Sequence, residues 1–287
     1  MKTTLYMLKE ASPFMMSFVI VTEQNRCIVV DGGRPDDMPA LKEAIGGRTV
    51  SAWIMTHAHS DHVSGILAEI EKNGAYDFDV ERIYHHFPSY EELVKQTPNA
   101  PDVKYFTEDI SETLPVFERV RSRFAHKERV VEVGDKIRVD EVEIEILYTP
   151  QEGLLANPIN DSSLVFRLTT PRKSVLFLGD LGPDGGDRLF HFARHKLKSD
   201  IVQMAHHGHM NVSMEVYAAI APEACLWAAP VWLYEEGEIP EYLPDSQKAI
   251  QMNRIRMYGT AVTRRWMEQL GVKKHYVSGN GTQKVEL

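Results

Sequence analysis

The segment 56–62 (THAHSDH) holds three imidazoles and one carboxylate within six positions. Histidine and aspartate side chains are common ligands of borderline divalent ions such as zinc. In an extended chain, residues two apart point the same way, so His57 and His59 can bind one ion together. Where the chain turns, Asp61 and His62 can face a second ion. The spacing favours a metal site over a histidine-rich surface loop.

The sequence around this motif predicts the elements that position it. The apolar segment 52–55 (AWIM) is typical of a buried strand. After the motif, Val63, Ile66, Leu67 and Ile70 have helical spacing and predict a helix with one apolar face. A strand, a set of ligands and a helix therefore follow one another in the order that a metal site requires.

Two further strands end in metal-binding residues. Segment 176–180 (LFLGD) is apolar and ends in Asp180, whose two carboxylate oxygens can bridge two ions. Segment 202–209 (VQMAHHGH) is another apolar strand that ends in histidines. His206 comes directly off this strand and is the favoured ligand. His207 is an alternative ligand, and His207 and His209 could instead hold substrate or orient a ligand.

A polar turn precedes another apolar strand. In the segment 160–165 (NDSSLV), the polar residues can be read simply as the turn. The functional interpretation places Asn160, Asp161 or Ser162 at the rim of the metal site, where Asn160 and Ser162 would contact substrate.

The bulk composition is that of a soluble globular protein, with 287 residues, 43% hydrophobic and 25% charged. The net charge of −9 argues against a protein whose main task is coating nucleic acid. It does not exclude a nuclease, because bound metal supplies local positive charge. Cys27 and Cys225 lie in apolar runs, which predicts buried free thiols and no disulfide framework.

The organisation of the chain predicts one cytoplasmic domain over 1–287. The apolar run 14–21 is preceded by Lys9 and Glu10 and followed by no small-residue cleavage site, so it is not typical of a signal peptide. Apolar segments are all shorter than a membrane span. Residues 88–125 have a helical pattern and read as an insertion at one edge of the site, with Ser89 and Glu92 as a capping box. The Gly-Asn-Gly at 279–281 predicts a terminal hairpin.

The ordered motifs resemble those of the metallo-β-lactamase-fold hydrolases. They are the strand ending in Asp31-Gly32-Gly33, the His57-x-His59-x-Asp61-His62 motif, Gly179-Asp180 and a late strand-terminal histidine. Segments 160–165, 177–180, 206–208 and 276–281 are similar to those of the free-standing relatives of the metallo-β-lactamase-like domain of bacterial DNA-uptake (competence) channel proteins. The resemblance implies an αβ/βα sandwich of two mixed sheets with outer helices, and a site between the sheets at one edge.

The resemblance also implies a ligand set for two divalent ions, zinc first, with manganese or iron as alternatives. His57 and His59 would serve the first ion, Asp61, His62 and His206 the second, and Asp180 would bridge. Many family members place a further first-site histidine after a Thr-Pro pair, but between His126 and His191 this chain has none. Glu152, near the expected position after Thr149-Pro150, and Asp161 are the candidate substitutes.

The expected function is that of a metal-dependent hydrolase that uses a metal-bound hydroxide, because zinc lowers the pKa of bound water to about 7. Asp61 and Asp180 would be the catalytic carboxylates. The resemblance favours a small or locally bound phosphodiester substrate, with no extended nucleic-acid track and no membrane partner. The alternatives are a lactonase or another ester or thioester hydrolase, and a non-catalytic metal-bearing module that binds a nucleotide.

Overall fold

The computed structural model describes residues 2–12, 14–73, 79–96, 113–153, 157–236, 244, 248 and 258–287. Within these ranges the strands form two seven-stranded mixed sheets. The helices cover the outer faces of the two sheets, whose inner faces pack on each other. This arrangement is the αβ/βα sandwich expected from the sequence, and the predicted fold class is confirmed.

The first sheet has the strand order β14-β1-β2-β3-β4-β5-β6. Its strands are β1 (Thr4–Met7), β2 (Ser17–Val21), β3 (Cys27–Asp31), β4 (Val50–Ile54), β5 (Ile83–His85), β6 (Glu128–Val130) and β14 (Gln283–Glu286). The pairs from β14 to β3 are antiparallel, whereas β3, β4, β5 and β6 are parallel to one another.

The second sheet has the order β13-β12-β11-β10-β9-β8-β7. Its strands are β7 (Lys136–Val139), β8 (Val142–Tyr148), β9 (Val165–Thr169), β10 (Ser174–Phe177), β11 (Ile201–Gln203), β12 (Ala224–Trp227) and β13 (Lys274–Val277). Here too one half is antiparallel, from β7 to β10, and the other half is parallel, from β10 to β13.

Strand periodicity explains how both faces of each sheet are buried. Along β2, Phe18 and Ile20 face the core between the sheets, while Val19 and Val21 face the outer helices. Successive side chains of a strand point to opposite faces, so a fully apolar strand suits a sheet that is covered on both sides. Across the core, the ring of Phe177 stacks on Phe166 at 4.8 Å and contacts Phe18 edge-on at 5.1 Å.

The described helices flank the sheets. They are α1 (Met38–Ile45), α2 (Ser60–Asn73), α3 (Tyr90–Gln96), α4 (Pro183–Ala193), α5 (Met214–Ile220), α6 (Val231–Tyr234) and α7 (Thr260–Gln269), with a further helical stretch over 113–121. α1, α2 and the 113–121 stretch contribute to the apolar cluster on the first sheet, and α4 to α7 to the cluster on the second. Among the described residues, every helix is too short or too polar to cross a bilayer.

The insertion packs beside the metal-binding motif. Leu93 of α3 and Leu114 form a small apolar cluster with Ala58, which lies between His57 and His59, and with Ile159. The capping box of α3 is confirmed, because the Ser89 amide donates to Glu92 Oε2 at 2.7 Å and the Glu92 amide donates to Ser89 Oγ at 3.2 Å. Residues 97–112 of the predicted insertion lie outside the described residues.

The predicted C-terminal hairpin is wrong. β13 pairs with β12 in the second sheet, whereas β14 pairs with β1 in the first. The turn Ser278–Asn280 therefore carries the chain from one sheet to the other. The Gly279 amide donates to Ala229 O at 3.0 Å, and a Cβ on Gly279 would lie 2.4 Å from the Val231 nitrogen. Glycine is required here for a close approach to the β12–α6 loop, and not for a two-residue hairpin turn.

Candidate metal centre

The candidate site lies where parallel strands of the two sheets end. In the first sheet, β3 ends at Asp31 and the segment after β4 carries the 57–62 motif. In the second sheet, Asp180 follows β10, and His206 and His207 follow β11. The carboxyl ends of parallel strands share one edge of a sheet, so residues far apart in sequence converge here.

Six side chains form two groups of three, and within each group the candidate ligand atoms lie within 4.8 Å of one another. The first group contains His57, His59 and Asp180, and the second group contains Asp61, His62 and His207. In the first group, His57 Nε2 lies 3.1 Å from His59 Nδ1. In the second group, His207 Nε2 lies 3.1 Å from Asp61 Oδ2.

Asp180 belongs to the first group and also lies close to the histidines of the second. Its Oδ2 atom is 3.9 Å from His57 Nε2, 3.3 Å from His62 Nε2 and 3.6 Å from His207 Nε2. Its Oδ1 atom is buried and has no hydrogen-bonding partner among the described residues. Leaving a buried carboxylate oxygen without a partner is costly, and metal coordination removes that cost. The imidazole and carboxylate donors therefore fit a pair of divalent ions such as zinc, iron or manganese.

The second group is oriented by acceptors behind its imidazoles. His62 Nδ1 donates to Asp31 Oδ2 at 2.8 Å, and His207 Nδ1 donates to the carbonyl of Ala228 at 2.6 Å. Asp31 is itself fixed, since the Thr56 amide and hydroxyl both donate to it at 2.8 Å. A hydrogen bond from one imidazole nitrogen sets the tautomer and directs the other nitrogen toward the ion.

The loop that carries Asp180 is fixed by side chains of two neighbouring segments. The Asp180 amide donates to Ser163 Oγ at 3.0 Å. The side chain of Gln203 accepts from the amides of Leu178 and Gly179 at 2.8 Å each, and its amide group donates to Gly179 O. Gln203 is also the last residue of β11, which precedes His207. Its hydrogen bonds therefore connect the loop that carries Asp180 to the loop that carries His207.

The positions of His206 and His207 differ from the expected ones. The sequence favoured His206 for the second group, but the structure places His207 beside Asp61 and His62. Both histidines have left-handed backbone angles, with φ of 48° and 56°, so the chain turns tightly and does not continue the extended strand. Gly208 allows this turn, because it has φ +94° and a Cβ there would lie 2.4 Å from the Trp227 ring. The tight turn directs the second histidine, and not the first, into this group.

His206 instead lies at the edge of the centre. Its Nε2 is 3.7 Å from Asp180 Oδ2, and its side chain is 23% exposed. Asn160 Nδ2 is 3.4 Å from His206 Nδ1, and the buried Asn160 Oδ1 has no partner among the described residues. His209 packs against His206 with ring centroids 4.1 Å apart. The three side chains offer polar atoms beside Asp180.

Burial and neighbouring charges set the protonation of the centre before any ion binds. Burial lowers the pKa of His57 well below its usual range, and the charge of His62 lowers it further. Burial likewise lowers the pKa of His206 to about 4. Burial would raise the pKa of Asp180, but the charges of His62 and His207 hold it well below its usual range. Neutral imidazoles and ionised carboxylates are the forms that bind divalent ions.

His62 and His207 behave in the opposite way. Burial alone would lower the pKa of His62, but the charges of Asp180 and Asp31 raise it well above its usual range. For His207, Asp180 and Asp61 raise the pKa against the same effect of burial. The protonated imidazoles place positive charge beside the buried carboxylates. A bound cation would supply the same positive charge in their place.

Neither proposed substitute for the missing histidine joins the first group. Glu152 is exposed, and its backbone carbonyl accepts from Arg188. Asp161 is buried but faces the start of α4, where its Oδ1 accepts from the Gly185 amide at 2.8 Å. A Cβ on Gly182 would lie 2.5 Å from the same oxygen, so the carboxylate fills the space beside that turn. Burial raises the pKa of Asp161 to about 7.

Of the three residues predicted to contact substrate, Asn160 and His209 lie beside His206 at the edge of the centre, and Ser162 does not. The Ser162 hydroxyl donates to Ile159 O at 2.6 Å, so it closes its own turn. The supporting residues Ser163 and Gln203 were not recognised in the sequence. Ser163 lies in a polar segment that is also typical of a simple turn, and Gln203 carries no motif.

The comparisons with known proteins bear on the sequence family and the fold of the chain. The model of the metallo-beta-lactamase superfamily matches residues 14–223, and no curated protein sequence is significantly similar to the chain. Among solved structures, CmlA, a diiron β-hydroxylase from Streptomyces venezuelae, is 14% identical with a TM-score of 0.54 over 100% of this chain and 54% of CmlA. The metallo-β-lactamase fold protein YhfI from Bacillus subtilis is 12% identical with a TM-score of 0.50 over 99% of this chain and 100% of YhfI.

These structural likenesses concern the fold, and this chain spans about half the length of CmlA. The match to the family model is stronger evidence about the site, because it includes the 57–62 motif, Asp180 and the histidines after β11. These are the side chains that converge into the two groups. The chain belongs to the metallo-β-lactamase superfamily.

Proposed function

We propose that this chain is a metal-dependent hydrolase of a small or locally bound phosphodiester. The two groups would each hold one divalent ion, and Asp180 would contact both. The observation that carries the proposal is the position of Asp180, whose Oδ2 lies within 4 Å of imidazoles of both groups while its buried Oδ1 has no partner among the described residues. When bound, a pair of divalent ions lowers the pKa of a water molecule and neutralises charge that develops on phosphoryl oxygens.

The residues of the chain would hold and orient the reactants. Asp31 and Ala228 O keep the Nδ1 atoms of His62 and His207 as donors, which leaves both Nε2 atoms facing Asp61 and Asp180. Asp61 would be the proton acceptor, because its carboxylate has the higher exposure, 12% against 1% for Asp180. A proton taken up by Asp61 can therefore leave to solvent.

The substrate would be gripped locally. Its phosphoryl oxygens would lie beside His206 and Asn160, whose polar atoms border Asp180. A protein with a net charge of −9 does not steer a polyanion over long distances. The similarity of several segments to the DNA-uptake domains supports a phosphodiester, and the charge supports a short one.

The test is turnover of bis(p-nitrophenyl) phosphate and of a neutral lactone by protein loaded with zinc or with manganese. We expect phosphodiester turnover that falls by at least about a hundredfold in His57→Ala, because loss of one ion removes charge stabilisation of the transition state. A short substrate should show weak salt dependence, unlike binding through many phosphates. Lactone cleavage without phosphodiester cleavage would assign the site to ester hydrolysis. Inactivity on both, with retained metal and tight nucleotide binding, would assign it to a non-catalytic module.

A further inference from the structure

Three aromatic side chains form a continuous surface beside the metal centre. Phe14, Trp232 and Tyr258, called here the aromatic wall, come from three distant parts of the chain. The ring centroids of Phe14 and Trp232 are 5.6 Å apart, those of Trp232 and Tyr258 are 5.8 Å apart, and those of Phe14 and Tyr258 are 6.3 Å apart. Aromatic rings at these separations contact one another directly.

The aromatic wall contacts the histidines of the centre. The Phe14 ring lies 5.4 Å from the ring of His207, which belongs to the second group. The Tyr258 ring lies 4.8 Å from that of His209. The Phe14 ring contacts both Trp232 and His207 and lies between them in this series of contacts. Trp232 is therefore about one ring farther from the centre than Phe14.

The aromatic wall is open to solvent at its outer end. Trp232 is 43% exposed, and Met210, whose amide donates to the Tyr258 carbonyl at 2.8 Å, is 50% exposed. In contrast, His57, His62 and Asp180 are at most 1% exposed. The aromatic wall therefore has a solvent-exposed end at Trp232 and a buried end at the histidines of the centre.

The backbone of Phe14 is held in an unusual conformation. Its φ of +55° lies in the left-handed region, which is strained for a bulky side chain. Arg34 holds it there, because Arg34 Nη1 donates to the Phe14 carbonyl at 2.7 Å. The same guanidinium lies 4.0 Å from Asp61 Oδ1. Arg34 therefore contacts both the Phe14 backbone and Asp61 of the second group.

We propose that the aromatic wall binds the base of a nucleotide phosphodiester by stacking on Trp232 while the phosphodiester group lies at the metal centre. This inference rests on the proposed function and names its substrate class. A sugar ring separates base and phosphate in a nucleotide, and one aromatic ring separates Trp232 from His207. Stacking suits an acidic protein, because every base has a π-face and binds an aromatic side chain without needing a positively charged track.

The first experiment compares two substrates that share a leaving group and differ in the base. They are p-nitrophenyl 5′-thymidylate and p-nitrophenyl methyl phosphate, tested on the wild type, Trp232→Ala, Trp232→Phe and Phe192→Ala. Phe192 lies on α4 and is 74% exposed, which makes it a matched control. We expect the wild type to prefer the thymidylate, Trp232→Ala to lose about tenfold of that kcat/KM ratio, and the other two variants to keep it. An absent preference, or an equal loss on both substrates, would overturn the inference.

The second experiment does not depend on turnover. Calorimetry measures the Kd of thymidine 5′-monophosphate and of methyl phosphate for the metal-loaded wild type and Trp232→Ala. Selective weakening of thymidylate binding by about tenfold supports the aromatic wall even if no phosphodiester is cleaved, in which case only the proposed function fails. Unchanged affinities in Trp232→Ala, with phosphodiester turnover intact, would overturn the aromatic wall and leave the proposed function standing.

Discussion

The two ligand groups of the centre differ in how their imidazoles are held. In the second group, His62 and His207 each donate from Nδ1 to a fixed oxygen, at 2.8 and 2.6 Å. In the first group, the His57 ring is backed by the Thr56 hydroxyl at a longer 3.2 Å, and its Nε2 atom lies 3.1 Å from His59 Nδ1. Ligands that are oriented before the ion arrives lose less conformational freedom on binding. The second group should therefore bind its ion more tightly than the first.

The groups also differ in completeness. The sequence lacks the additional histidine that many family members carry for the first ion, and the two carboxylates that could replace it lie elsewhere. Glu152 is exposed, and Asp161 is bound to the start of α4. If Asp180 is shared, the second group has four candidate ligands and the first has three. Three ligands with an open position are typical of an exchangeable or catalytic ion. We therefore expect the second group to hold its ion firmly and the first group to hold its ion more loosely, with a position open for the reaction.

The largest expected effect comes from the residue that both groups share. Asp180→Ala should reduce phosphodiester turnover by about a hundredfold or more, because both ions lose a contact and the transition state loses their charge. Glu152→Ala is the matched control and should retain activity within about twofold, since a residue outside the centre contributes little to transition-state stabilisation. Initial rates and metal content of folded variants measure this. Similar rates in the two variants would remove Asp180 from the catalytic centre.

The next prediction tests which of the two neighbouring histidines, His206 or His207, is a ligand of the second group. His207→Ala should weaken the tighter metal-binding step by at least about tenfold, because it removes one ligand of the second group. His206→Ala should leave that step unchanged and lower turnover, because His206 borders Asp180 outside both groups. Zinc titration of both variants decides the assignment. The reverse pattern would restore His206 as the second-group ligand.

A smaller effect tests the support behind His62. In Asp31→Asn, an amide nitrogen facing His62 Nδ1 would favour the tautomer with its proton on Nε2, the nitrogen that should face the ion. We expect the tighter step to weaken about 10- to 100-fold, with the looser step much less affected. Calorimetric titration, with circular dichroism to verify folding, makes the measurement. Equal weakening of both steps would mean that Asp31 does not distinguish the groups.

The smallest effect on metal binding is expected for Asp161→Asn, which should keep the wild-type metal content. The substitution should instead change the free energy of unfolding. Burial raises the pKa of Asp161 to about 7, so the carboxyl's contribution to the free energy of unfolding is present below about pH 4 and is lost as pH rises through about 7. The contribution is at most about 4 kcal/mol. Denaturant unfolding between these pH values should show the wild type losing stability relative to the variant as pH rises. Loss of one metal equivalent would instead make Asp161 a ligand.

The fold class could be expected because the ordered motifs resemble those of a known family. The convergence of His57, His59, Asp61, His62 and Asp180 could be predicted from local patterns, because these candidate ligands follow apolar strands and side chains at the ends of parallel strands converge. The choice between His206 and His207 could not be predicted, because it depends on two successive left-handed residues and on the packing of Gly208 against Trp227.

Two other features could not be predicted from the sequence, for related reasons. The Gly-Asn-Gly turn has the composition of a hairpin, but its two strands join different sheets, and partner choice is decided by tertiary packing. The role of Gln203 comes from four hydrogen bonds to the loop before Asp180 and the residue after its own strand, which no local pattern contains. Long-range contacts of this kind follow from the sandwich as a whole.

We expect the chain to hold two divalent ions in two groups of unequal affinity. Zinc titration of chelator-treated protein by calorimetry, with elemental analysis of the loaded product, measures this directly. Two equivalents should bind in two resolved steps, with the tighter step weakened in His207→Ala and the looser step weakened in His59→Ala. Uptake of far less than one equivalent, or two identical steps that both variants affect equally, would show that the two groups do not bind ions as proposed.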